Sequence, residues 1–160
     1  MDNKGFTLIE ALAVIVVIGI VGLIAVPSIV STLDNSKKAS NKVLYGNIKT
    51  ALQTMYEEIE YSGITIYQYY NNGINTEEQI NINSNSITTN IQTLVSNGFL
   101  MGISNPDKDS TNKKIILNAD NKDIGMCEVT IEKVKSGNKV SYKFEGSNEE
   151  DCPTDIDLEG

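Results

Sequence analysis

The sequence predicts an α+β fold in which one long N-terminal α-helix packs on a C-terminal antiparallel β-sheet. Three observations carry that expectation. Residues 6–30 are almost wholly apolar. Residues 31–62 keep apolar side chains at helical spacing. Near the C-terminus, two runs alternate apolar and polar residues on either side of a turn signal, Lys135-Ser136-Gly137-Asn138, which is the pattern of a half-buried hairpin.

The first element runs from Phe6 to Val30. As a helix its 25 residues span about 37 Å, enough to cross a hydrocarbon core of about 30 Å. Only Glu10 is charged in that stretch, and an acid inside a membrane-length apolar segment marks a functional position. Two ordinary explanations fit poorly. A secretory signal has a shorter apolar region and a small-residue cleavage site, for which Ala25-Val26-Pro27-Ser28 is a poor candidate. A plain anchor gives Glu10 no purpose. Gly19, Gly22 and Pro27 weaken the helix, by about 1 kcal/mol per glycine and about 3 for an interior proline. Pro27 also removes the amide that would bond the Leu23 carbonyl. A tolerated membrane kink is the plain reading of these three residues.

Beyond Pro27 the helix continues. Leu44, Ile48, Ala51, Leu52, Met55 and Ile59 share one face, while Lys42, Lys49, Thr50, Glu57 and Glu58 take the other. Ser62-Gly63 supplies a stop. A helix from Phe6 to Tyr61 would reach about 84 Å, apolar all round in its first half and amphipathic in its second. Residues 64–87 are rich in Asn, Tyr and Ile and contain a turn at Asn71-Asn72-Gly73, the pattern of an irregular connection. Thr88–Asn97 predicts a short helix with Gly98 at its C-cap. Three strands follow: Lys114–Asn118, the Cys127/Val129/Ile131 alternation, and the Val140/Tyr142/Phe144 alternation. The tail from Asn148 is acidic.

Composition narrows the function. The chain has 160 residues, a net charge of −8, no histidine, and lysine as its only basic residue type. Histidine catalysis and histidine metal ligation are excluded, and nucleic-acid binding is disfavoured. No nucleophile–base pair or phosphate loop is visible, so neither catalytic residues nor a cofactor are expected. Asp107-Lys108-Asp109 and Asp120-Asn121-Lys122-Asp123 lack EF-hand spacing, so solvated loop acids are expected rather than a metal site. Tyr67, Tyr69 and Tyr70 form a cluster better suited to packing or contact than to a ligand. Cys127 and Cys152 are too far apart in sequence for a CxxC site. Behind an export segment, a disulfide is the better reading, with two free buried thiols as the alternative.

Gly5-Phe6-Thr7-Leu8-Ile9-Glu10, followed by an apolar helix containing Pro27, resembles the type IV pilins (short-leader, type IVa-like) and their pseudopilin relatives. The resemblance is specific over residues 5–30 and architectural beyond them. The run Leu94-Val95-Ser96-Asn97-Gly98-Phe99-Leu100, with Pro106 after it, faintly resembles a helix-to-sheet junction of the same headgroups. Ala11, where a bulkier apolar residue is common, is a mild departure.

The resemblance implies a pilin fold with four parts: a leader over 1–5 removed by prepilin peptidase, a membrane or filament-core helix over 6–30, an amphipathic half over 31–62, and a headgroup over 63–160 closed by its disulfide. It implies cleavage of the Gly5–Phe6 bond and N-methylation of Phe6. It also implies an assembly contact between the Phe6 ammonium of one subunit and Glu10 of the next, and a Gly19–Pro27 segment that loses helicity in a filament. The implied function is that of a pilus subunit serving adhesion, twitching motility or biofilm formation. Its partners would be copies of itself, the peptidase/N-methylase, an inner-membrane assembly platform and, before assembly, the cytoplasmic membrane, crossed once with the N-terminus inside. The pilus would then stand on the cell surface. Two alternatives share this N-terminus: a pseudopilin of a type II secretion or DNA-uptake system, some of which bind calcium in a comparable loop, and a minor pilin acting as a tip adhesin.

Overall fold

The computed structural model describes residues 7–70, 79–107, 110, 113–147 and 149–154. Two compact units divide the chain, Met1–Ala39 and Ser40–Gly160. Helix α1, Leu8–Glu57, runs through Pro27 without a break. A π-helical turn, Glu58–Ser62, follows, and Gly63 ends it in the left-handed region at φ 64°. That conformation suits glycine, so Ser62-Gly63 is the stop the sequence predicts.

The second unit is built around the amphipathic part of α1. Ile48, Ala51, Leu52 and Met55 are buried, with Leu44 and Ile59 half-buried against the same cluster. Tyr45 and Tyr56 join them, which widens the apolar stripe beyond the predicted face. Their cover is a three-stranded antiparallel sheet in the order β1-β4-β5. Its strands are β1 at Ser86–Asn90, β4 at Glu128–Ser136 and β5 at Lys139–Glu145. Ile87, Val129, Ile131 and Phe144 reach one core with the helix residues. Burying side chains of this size contributes about 1.5–3 kcal/mol each, so this seam supplies much of the unit's stability.

Three expectations need correction. The helix predicted over Thr88–Asn97 is shorter: α2 covers Ile91–Ser96, and Thr88 to Asn90 belong to β1. Ile87, Thr88 and Thr89 pair with Ile131, Thr130 and Val129, where β-branched side chains pack well. Asn90 then turns the chain, because its side chain accepts a bond from the Thr93 amide at 2.9 Å and caps α2. The strand predicted over Lys114–Asn118 is reduced to β3, Lys114–Ile115. It pairs with β2, Ile103–Ser104, in a separate two-stranded ribbon. Val140, expected on the buried row, is 53% exposed where β5 begins. The turn at Asn71-Asn72-Gly73 and the acids Asp155, Asp157 and Glu159 lie outside the described residues.

The β4–β5 hairpin turns at Gly137, whose φ of 61° fits glycine. On the inward row of β4, after Val129 and Ile131, stands Lys133, 5% exposed. A buried ammonium is costly unless paired. Lys133 donates to Glu60 in the π-helical turn and, at 3.2 Å, to the Tyr61 hydroxyl. Its ammonium also lies 5.9 Å and 5.2 Å from the Tyr56 and Tyr61 ring centroids, within cation–π range. Beside it Tyr142 meets Tyr56 edge-on, with centroids 5.7 Å apart, and donates to Glu57 at 3.1 Å.

The tail is tied back. Cys127 and Cys152 form a disulfide with Cα atoms 5.6 Å apart. The Ser147 amide donates to the Pro153 carbonyl at 3.0 Å, and a Cβ at Gly146 would collide with that carbonyl. The Asn118 side chain donates to the Asp151 carbonyl at 3.3 Å. One residue on, the Ala119 amide donates to Asn41 of α1 at 2.7 Å.

Cys127→Ser should lower the stability of this unit by about 2–5 kcal/mol, as loss of a native disulfide does in small secreted domains. Denaturant unfolding of the full chain in micelles checks this. An unchanged midpoint would show that the bridge stabilises nothing.

Alkali should act through the tyrosines. Burial, then the Glu57 contact, pushes Tyr142 up from 10.0 to about 12, and burial raises Tyr56 as well. The unfolded phenols ionise first. Stability is therefore full below about pH 10 and is lost as pH rises through about 12. Lys133 is also raised, chiefly by its bond to Glu60, and its contribution fades in the same direction. The melting temperature should fall between about pH 10 and about pH 12, and Tyr142→Phe should flatten that fall. An identical pH profile in the variant would exclude Tyr142 as a cause.

Candidate functional site

The first unit contains the N-terminal part of α1. Its most apolar window has a mean hydropathy of 2.9, and none of it is buried in the structure. Leu8, Ile9, Leu12 and Ile15 are exposed, as are most large apolar residues up to Leu33. By length and composition the helix can cross a membrane. An apolar helix of this kind needs lipid or another protein around it.

Glu10 sits in its first turn. The Thr7 amide and hydroxyl both donate to Glu10 Oε2, at 2.9 Å and 2.7 Å. In return the Glu10 amide donates to Thr7 Oγ1 at 3.4 Å. This is a reciprocal capping box, which satisfies amides that the start of a helix would otherwise leave open. The signal, threonine followed three residues later by glutamate, stands in the sequence at Thr7 and Glu10. Among the described residues Oε1 of Glu10 accepts no bond. Gly5 and Phe6, the predicted cleavage, methylation and assembly residues beside it, lie outside the described residues.

Gly19, Gly22 and Pro27 all lie within α1. A Cβ at either glycine would meet nothing within 4 Å, so crowding inside the chain does not require glycine there. Thr32 donates to the Ser28 carbonyl at 2.9 Å just after Pro27.

Of the predicted loop acids, Asp123 builds a turn through its carboxylate, while Asp120 and Asp107 enter turns through their backbone amides. Asn118 Oδ1 accepts from the Asp120 and Lys122 amides, each at 3.0 Å, and Asp123 Oδ1 accepts from Gly125 at 2.9 Å. Asp107 is described, whereas Lys108 and Asp109 are not. Among the described residues no three Cys, Asp or Glu side chains are grouped to hold a metal ion. Of the tyrosine cluster, Tyr69 is fixed through its backbone, accepting from Asn90 at 2.6 Å and donating to Thr93 at 2.9 Å.

Comparison with known families matches residues 1–26 to a model described as the prokaryotic N-terminal methylation motif. The motif and the long apolar helix together indicate a type IV pilin-like prepilin. The helix followed by an antiparallel sheet is the α+β arrangement of the pilin fold. The motif implies processing by prepilin peptidase and pilus-type assembly, and the family it marks is structural rather than enzymatic. No curated protein and no solved structure matches the chain.

Proposed function

We propose that this chain is the structural subunit of a type IV pilus, polymerising through its N-terminal helix into surface filaments for adhesion, motility or biofilm formation. The observation that carries the reading is the matched motif at the head of an exposed apolar helix. In this reading residues 1–5 are removed at the Gly5–Phe6 bond and Phe6 is methylated. The chain waits in the cytoplasmic membrane, spanning it once, until an assembly platform adds it to copies of itself. Residues 6–30 form the filament core, 31–62 its amphipathic continuation, and 63–160 the outward headgroup. The chain is a substrate of enzymes and not itself one. It takes no cofactor and binds no nucleic acid.

Glu10 has a defined place in this scheme. The capping box occupies Oε2, and Oε1 is left for the Phe6 ammonium of a neighbouring subunit. A charge pair in a low-dielectric core punishes a wrong register strongly. Glu10 therefore sets axial register. Gly19, Gly22 and Pro27 supply the segment that loosens on assembly.

Mass spectrometry of sheared surface filaments should find a chain beginning at Phe6 and heavier by one methyl group. A chain beginning at Met1 or after Ala25 would remove the reading. Gly5→Leu should leave the precursor uncut in the membrane. Short filaments confined to the envelope, seen by immunogold labelling against residues 64–160, would favour the pseudopilin alternative.

Glu10→Val should leave membrane insertion and cleavage intact and reduce surface filaments to a small fraction of the native yield. Glu10→Asp, which keeps the charge one methylene back, should give an intermediate yield. Native yield from Glu10→Val cells, measured by electron microscopy of sheared fractions, would show that the carboxylate does not set register.

A further inference from the structure

An open groove of about 620 Å³ lies in the second unit, beside β1. Its size falls within the range of about 300–1,000 Å³ typical of small-ligand sites. Two antiparallel segments border it, bridged at Tyr67 and Gln79, with the Ile80 amide donating to the Ile66 carbonyl at 2.8 Å. The segment carrying Gln68 and Tyr70 is pinned from below. Thr89 donates to Gln68 Oε1 at 2.7 Å, and the buried Asn90 and Thr93 hold the Tyr69 backbone.

The lining is unusual in kind. It includes the amide residues Gln68, Gln79, Asn81 and Asn83, and Ser86 and Thr88, whose hydroxyls bond the Asn83 carbonyl and Thr130 but keep acceptor capacity. Tyr70 supplies an aromatic ring and Glu128 a carboxylate. Among the described residues Ile80 is the sole aliphatic side chain lining the groove, and no lysine lines it. With Glu128 present and no cation among the described lining residues, phosphate, sulfate or a sialic acid would be repelled. With so little hydrocarbon, a lipid or flat apolar cofactor would gain nothing. Amides and hydroxyls both donate and accept, which matches the hydroxyls of a sugar, each of which does the same. A carboxylate accepts strongly from sugar hydroxyls, and an aromatic ring offers a face to the C–H side of a pyranose. The Gln68 amide nitrogen and the Glu128 carboxylate make no other side-chain hydrogen bond among the described residues.

We propose that this groove is a binding site for a neutral saccharide. The site lies wholly within the Ser40–Gly160 unit. Saccharide binding therefore stands or falls independently of leader cleavage and filament assembly.

The test uses the full chain in zwitterionic, sugar-free micelles on an array of neutral, sialylated and sulfated glycans. Saturable binding to at least one neutral glycan is expected. Glu128→Ala should weaken that binding about ten- to a hundredfold, the usual effect of losing one hydrogen bond to a charged group, and Gln79→Ala should weaken it several-fold. Both side chains are exposed, so both variants should retain the native melting temperature. Met101→Ser, an exposed position outside the groove lining, should bind as the native chain does. Absence of binding to every neutral glycan, binding only to anionic glycans, or neutral-glycan binding indifferent to both groove variants would each overturn the proposal.

Discussion

The constraint on which the rest of this structure depends is that one helix must satisfy two different surroundings. From Leu8 to Leu33, Glu10 and a few hydroxyl residues apart, its side chains are apolar on every face, and its large apolar ones are exposed. From Tyr45 to Tyr56 they are apolar on one stripe, and that stripe is buried. A helix that is apolar all round cannot be covered by a single sheet, which shields one side only. It needs lipid or a ring of neighbouring helices. The amphipathic half needs one sheet, and the chain supplies it. The change of regime along α1 therefore separates what this protein can complete alone from what requires other molecules.

The covered half is fastened at its far end by polar groups. The inward row of β4 passes from Val129 and Ile131 to Lys133, and the lysine would be a defect without Glu60. The pair joins residues 73 positions apart. With Lys133 buried and Glu60 toward the surface, the pair adds little net stability but is strict about geometry, so Lys133 specifies how the helix end meets the sheet more than it strengthens the contact. Tyr142 does similar work on Glu57. At the other edge of the core, the disulfide holds the tail near Asn118, whose neighbour Ala119 binds Asn41 of the helix. Covalent and polar ties thus act on the same helix segment whose apolar stripe supplies the burial energy.

Legibility in the sequence followed periodicity. The apolar segment, the Ile48–Met55 stripe and the β4–β5 hairpin were all readable, because each repeats a pattern over several turns or alternations. Strand β1 was hidden because Ser86–Asn90 is short and runs directly into α2, so that Ile91, Leu94 and Val95 pulled the reading toward helix. Lys114–Asn118 was over-read because apolar residues there are buried by the loop packing around Ile116 as well as by pairing. Lys133 was invisible since a lysine on a strand reads as solvent-facing until its distant partner is known. The Thr7–Glu10 capping box is legible as threonine followed three residues later by glutamate. The groove beside β1 could not be read at all, since scattered amides look like ordinary surface.

The two glutamates that bracket α1 show how local and distant pairing differ in consequence. Glu60 is matched by a lysine of its own chain, so its charge is settled once the second unit folds. Among the described residues Glu10 is matched only by Thr7, three residues away, through neutral donors. Hydrogen bonds from an amide and a hydroxyl orient a carboxylate and satisfy one oxygen, but they do not cancel its charge. In water that charge is tolerated; in lipid or in a helix bundle it is not. The same capping box that starts the helix therefore presents, among the described residues, an oriented carboxylate with no cation beside it, in a segment apolar enough to cross a membrane. A cation brought to Glu10 would therefore meet a carboxylate already oriented by Thr7.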